Sequence, residues 1–273
     1  MNRLKRIFFD GAATGAYAVI TAVFTIVPEG CLMPFKIDPN SDANSVLFIR
    51  LLICVAVFLV AKAVSAIYKR KRKRVRITGD NYTVQVEYGN LLTISDGRPA
   101  VSFDECFTTK IGDAPSDIKP HSLCGQYLEA RPIENMQALI DEAGVLPAEG
   151  KSEFNGLTRY TPGTIVPRGR DLLLAFARLD KNGRGYLTYG EYLDCLRLLW
   201  RQIDLYHGTD DVCVPILGSN ILGLDRDLTQ QELLDIMISS YILSPKRLKN
   251  PYKLRIVCRG REGFSLDHIK GVD

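Results

Sequence analysis

The chain has 273 residues, 46% of them hydrophobic and 24% charged, with a net charge of +4, enough for one large domain or two smaller ones. The charge is unevenly spread: residues 1–76 carry 13 Lys/Arg against 4 Asp/Glu, and residues 77–273 carry 22 against 27. An acidic C-terminal part without clustered cations argues against nucleic acid as a partner.

From Gly11 to Val27 there are 17 residues without a charge, and with Ile7–Asp10 they reach the length of a bilayer-crossing helix. A second apolar run, Val46–Tyr68, holds Arg50 and Lys62 near its ends, where long side chains reach the interface. Two transmembrane spans are therefore expected, at about 7–27 and 46–68, in a hairpin within residues 1–76. Arg3, Lys5 and Arg6 precede the first span and Lys69–Arg74 follow the second, while the loop 28–45 holds only Lys36 against Glu29, Asp38 and Asp42. By the positive-inside rule both termini face the cytoplasm. Gly11 and Gly15 allow close helix approach, and Thr14, Thr21 and Thr25 share a face, so helix association, hence a homo-oligomer, is plausible. Asp10 and Lys62 fall at similar depth and are candidates to pair.

Beyond Arg76 the pattern changes, and residues 77–273 read as one cytoplasmic domain. Strands are expected at 83–88, 99–103, 172–179, 212–217 and 254–258, several continuously apolar and thus central in a sheet. Helices are expected at 133–143, 191–204 and 230–240. Thr188-x-x-Glu191 and Thr229-x-x-Glu232 are capping boxes that open the last two. The alternation points to an α/β domain with a mixed sheet flanked by helices. Seven cysteines without a C-x-x-C pair and three widely separated histidines argue against a disulfide framework and a zinc site. No cofactor is implied.

Residues 180–191, Asp-Lys-Asn-Gly-Arg-Gly-Tyr-Leu-Thr-Tyr-Gly-Glu, match much of an EF-hand loop. Arg184 stands where an oxygen ligand is needed, the preceding run lacks an amphipathic stripe, and no second copy exists. Glu191 and Thr188 are accounted for by the capping box, and Asn182-Gly183 by a turn. Calcium binding is the minor reading.

The segment Val212-Cys-Val-Pro-Ile-Leu217, followed by Gly218-Ser219-Asn220 and the helix opened by Thr229, is a buried strand ending in a small-residue loop. Such a loop presents backbone N–H groups to a phosphate or diphosphate at the carboxyl edge of a sheet. Together with Tyr88-Gly-Asn-Leu-Leu92, Ser102-Phe-Asp-Glu-Cys-Phe107, Ser122-Leu-Cys-Gly-Gln126 and the insertion carrying Tyr160-Thr-Pro-Gly163, it resembles the macro-type ADP-ribose-binding fold. Within that fold it resembles the divergent macro domain of Thoeris anti-phage effectors, which also pair the domain with two preceding transmembrane helices.

The resemblance implies a macro-like α/β domain behind a two-helix transmembrane hairpin. It implies a receptor, not an enzyme, for an ADP-ribose-derived nucleotide made by a partner TIR-domain protein, acting on the inner membrane by oligomerising or disrupting the bilayer. A membrane-tethered ADP-ribosyl hydrolase is the alternative. The implied ligand contacts are Asn90 and Leu91 at the adenosine end, Leu217, Gly218, Ser219, Asn220, Ile221 and Leu222 around the diphosphate, and Asp104, Phe107, Ser122, Gly125 and Gln126 at the distal ribose. Three positions depart from the family pattern. Asn90 stands where an adenine-reading Asp is usual, Asp104 where an Asn is common, and Asn220 in place of a Gly.

Overall fold

The strand with the longest apolar run, residues 171–179, lies inside the sheet, covered on both faces. The computed structural model describes residues 21, 52, 55–64, 73–114, 116–218, 228–259 and 264–269. The chain divides into two compact units, Met1–Arg72 with Asp273, and Lys73–Val272.

In the first unit, residues 55–64 are helical and leave Val55, Leu59, Val60 and Val64 exposed, with Lys62 set 5.8 Å above the Phe58 ring. No helix among the described residues is long and apolar enough to cross a membrane. Most of both expected spans, and the Asp10, Gly11, Gly15, Thr14 and Thr25 positions within them, lie outside the described residues.

In the second unit the strands are β1 Arg74–Gly79, β2 Tyr82–Tyr88, β3 Arg98–Asp104, β4 Ile165–Arg168, β5 Asp171–Leu179, β6 Gly185–Tyr186, β7 Val212–Pro215 and β8 Leu254–Cys258. The helices are α1 Leu123–Ala130, α2 Met136–Glu142, α3 Tyr189–Tyr206 and α4 Gln230–Leu243. The sheet order is β1-β2-β8-β7-β3-β5-β4, with β6 paired to β5. The five strands from β2 to β5 run parallel, and β1, β4 and β6 join antiparallel.

Alternation along β5 explains its apolar run. Leu172, Leu174 and Phe176 face a core built with α3 and α4, and Leu173 and Ala175 face a second core with α1 and α2. Parallel strands covered on both faces need apolar residues at every position. Trp200 anchors the first core, its ring 5.2 Å from that of Tyr241 and its indole N–H donating to Ser240 Oγ at 3.0 Å.

All five expected strands and the last two expected helices are present, and both capping boxes form with reciprocal bonds. The structure adds β1, β4, β6 and α1, and shortens the expected helix 133–143 to Met136–Glu142, capped by Asn135. The EF-like loop is the β5–β6 turn. Asp180 Oδ1 accepts from the amides of Asn182 and Arg184, both at 2.8 Å, and Glu191 is engaged by Thr188 and Arg178. The first and twelfth loop positions are thus occupied by local bonds, and no metal-holding group of three or more His, Cys, Asp or Glu occurs among the described residues.

Candidate functional site

Parallel strands present their carboxyl ends on one edge, where loops and helix N-termini converge. On that edge lies a cleft of about 710 Å³, a size suited to a nucleotide. One wall is Gly89 and Leu91 after β2, with Val257, Cys258 and Arg259 at the end of β8. Pro215–Gly218 after β7 and Gln230, the first residue of α4, form a second wall. The segment 118–124, leading into α1, closes a third side, and Phe176 and Ser102 lie below.

Local chemistry holds these walls. Gly89 N donates to the Cys258 carbonyl at 3.0 Å, which locks the β2 and β8 ends together. Ser122 caps α1, its Oγ accepting from Gly125 N at 3.0 Å. A Cβ on Gly125 would stand 2.2 Å from the Lys119 carbonyl oxygen, so the absent side chain lets the first turn of α1 lie directly on the 119–120 backbone. Gly218 takes φ of +93°, a conformation only glycine adopts without strain.

Of the residues implied by resemblance, Leu91, Ser122, Leu217 and Gly218 line the cleft. Gly125 and Gln126 sit just behind it on α1. Ser219, Asn220, Ile221 and Leu222 lie outside the described residues.

The other three are not among the lining residues, and each makes local contacts. Asn90 is exposed and caps the short turn Leu91–Thr93, its Oδ1 accepting from Leu92 N at 3.1 Å. Asp104 accepts from the Cys106 and Thr108 amides at 2.8 and 3.2 Å and from the Thr108 hydroxyl. Burial pushes the Asp104 carboxyl above its ordinary range, against the pull of those bonds. Phe107, at φ of +52°, is buried between Phe103 and Tyr160, with ring centroids 6.0 and 5.6 Å away.

The lining also holds residues that the sequence did not single out, chiefly Lys119, His121, Arg259 and Gln230. None of the described lining residues is Asp or Glu, although residues 77–273 carry more acids than bases. The described lining thus holds two cations, Lys119 and Arg259, and no carboxylate. Lys119 Nζ donates to the carbonyls of Asp113 and Ala114 at 2.8 and 2.7 Å, closing the loop before α1. Burial pushes the Cys258 thiol up to about 12 and the Cys124 thiol higher still, so neither lining cysteine is a thiolate near neutral pH.

A parallel-centred mixed sheet with helices on both faces, and a carboxyl-edge cleft whose described lining holds cations and no carboxylate, defines an α/β binding domain for an anionic small molecule. A family model described as "Thoeris protein ThsA, Macro domain" matches residues 84–259, and the chain belongs to that family. The Thoeris protein ThsA of Bacillus amyloliquefaciens (strain Y2) is 28% identical over 239 residues, covering 84% of this chain and 78% of that protein. Among solved structures, the Oceanobacillus iheyensis macrodomain with ADP aligns at 9% identity and a TM-score of 0.46, covering 69% of this chain and 89% of that one. The same macrodomain with MES bound aligns at 10% identity and a TM-score of 0.43, over 69% and 89% of the two chains.

Proposed function

We propose that the chain is a membrane effector of Thoeris anti-phage defence that binds an ADP-ribose-derived nucleotide in the carboxyl-edge cleft. The observation that carries this reading is the charge of the described lining, two cations, Lys119 and Arg259, and no carboxylate. A diphosphate brings negative charge that such a site attracts and an acid-lined site would repel. The turn at Gly218 and the start of α4 add backbone N–H groups to the same wall.

The nucleotide is made by a TIR-domain partner, and the cleft is a receptor site. A hydrolase needs a free acid or base beside the anomeric carbon. Asp104 is the one acid proposed for that task, and its oxygens are engaged by Thr108 and the Cys106 amide.

The N-terminal unit is the output. Its apolar runs, with cations outside both ends of the pair, suit a two-span inner-membrane hairpin with both termini in the cytoplasm. The exposed Val55, Leu59, Val60 and Val64 offer apolar surface to lipid or to a second copy. Ligand binding changes the association of these helices and compromises the bilayer.

The test is dye release from liposomes carrying the full chain. Addition of the nucleotide product of the TIR partner should release dye in a saturable manner, and adenosine should not. Release independent of nucleotide, or none with a bound nucleotide, would count against the effector reading.

A further inference from the structure

The receptor reading leaves open which side chain senses the ligand's charge. We infer that Arg259 is that residue, and that Gln126 holds its guanidinium at the cleft wall until a diphosphate takes it over. The inference rests on the nucleotide-receptor reading above.

Arg259 follows β8 directly, and its backbone is placed by the Gly89 amide bonding to the neighbouring Cys258 carbonyl at 3.0 Å. The side chain is exposed and lines the cleft. Its Nη2 donates to Gln126 Oε1 at 3.2 Å, and Gln126 Nε2 donates to the His121 carbonyl at 2.8 Å. Gln126 is therefore anchored from behind with its acceptor turned toward Arg259.

Several other arginines of the domain, none of them in the cleft lining, are committed more firmly. Arg255 is paired with Glu87 and Asp96, Arg131 with Asp171, and Arg178 with Glu191. Arg98 and Arg168 each bond at least two backbone carbonyls. Among the described residues, Arg259 has only the neutral amide of Gln126. Exchanging one long bond to an amide for paired bonds to a phosphate is favourable, because the guanidinium fork fits two anionic oxygens at once and stays charged at every relevant pH. Lys119 is a poorer candidate, since its ammonium already closes a loop through the Asp113 and Ala114 carbonyls.

The consequence is selectivity. The cleft should prefer ADP-ribose over adenosine chiefly through Arg259, and removal of Gln126 should release Arg259 for the ligand. The experiment is calorimetric titration of the full chain in zwitterionic nanodiscs with ADP-ribose, adenosine and inorganic pyrophosphate at two salt concentrations. Arg259→Ala should weaken ADP-ribose about 10- to 100-fold and flatten its salt dependence, with adenosine shifted less than about threefold. Arg259→Lys should fall between wild type and the alanine variant. Gln126→Ala should tighten ADP-ribose by a few-fold.

Equal weakening of ADP-ribose and adenosine by Arg259→Ala, or matching losses from Arg259→Ala and Gln126→Ala, would make the pair a structural staple and overturn the inference. So would an unchanged ADP-ribose affinity in Arg259→Ala. If wild type takes neither ADP-ribose nor adenosine, the receptor reading fails by itself. Pyrophosphate then decides for Arg259: binding lost in Arg259→Ala supports its role, and binding absent or unaltered overturns it.

Discussion

The amide of Tyr88 donates to the carbonyl of Lys73 at 3.0 Å, and the next amide, that of Gly89, donates to Cys258 at 3.0 Å. Lys73 is the first residue of the C-terminal unit, and Gly89 and Cys258 are cleft wall. The start of this unit thus lies one strand spacing, about 5 Å, from the cleft wall at Gly89 and two spacings from the wall at Cys258. The Tyr88 ring also packs edge-on against Phe264 at 5.9 Å, so one residue joins the entry strand, the cleft wall and the C-terminal segment. β1 pairs with β2 alone, and its amides report on the end of β2. Hydrogen exchange at Arg74–Gly79 should slow when ADP-ribose is bound, and unchanged exchange there would show that the cleft and the entry strand are not coupled.

Gly125→Ala should damage fold and site together. The new methyl would meet backbone at 2.2 Å (Lys119 oxygen) and 2.9 Å (Pro120 Cα), neither of which is a flexible side-chain end. A loss of about 1–3 kcal/mol in chemical denaturation is expected from such overpacking, with weaker ADP-ribose binding because the 118–124 wall moves.

Asp171 is a structural carboxylate at the other end of the sheet. It is buried, accepts from the Tyr127 hydroxyl at 3.0 Å and pairs with Arg131 at 2.8 Å, while Arg168 bonds the same hydroxyl at 3.2 Å. Asp171→Ala strands these donors and should cost about 2–4 kcal/mol of stability. The denaturation midpoint should fall while the remaining folded protein binds ADP-ribose as before.

Asp104 gives a pH dependence of known sign. Burial raises its carboxyl in the folded state above the ordinary 3.8, so the charged form is disfavoured by folding. Its contribution is fully present below about 3.8 and is lost as pH rises through the raised folded value. Asp104→Asn should therefore gain on wild type as pH rises above 3.8, and the gap should close on acidification. A gap that widens toward low pH would contradict the burial argument.

Glu191 titrates in the opposite sense. Burial raises its carboxyl, but the Thr188 amide and hydroxyl and the Arg178 guanidinium outweigh that and hold it below the ordinary 4.5. Its contribution is present above about 4.5 and is lost as pH falls through the lowered folded value. Glu191→Gln should flatten that acid limb, and millimolar calcium should leave the thermal midpoints of both proteins unchanged.

The sheet centre was legible because parallel strands covered on both faces have no polar positions, as in Leu172–Phe176 and Val212–Val214. β1 escaped because its Val75 and Ile77 alternate with Arg74 and Arg76, and those arginines read as an extension of the basic segment before them. Pro167 broke the strand pattern of β4, which is tolerable because β4 is an edge strand. Within the site, Leu217 and Gly218 were visible as a strand running into a small-residue turn. Arg259 and His121 carried no sequence signal, since a lone polar side chain becomes part of a cleft only once β8 is inserted between β2 and β7 and the segment before α1 closes over them. Asn90, Asp104 and Phe107 matched ligand positions by resemblance, and the structure gives each a local duty as a cap, a turn acceptor and a core ring.

The most direct test of the receptor account is calorimetric titration of the full chain with ADP-ribose, followed by recovery of the ligand. Saturable binding near one ligand per chain, weakened by salt, is expected, with the ligand recovered intact. Absence of binding, binding indifferent to salt, or conversion of the ligand would contradict it.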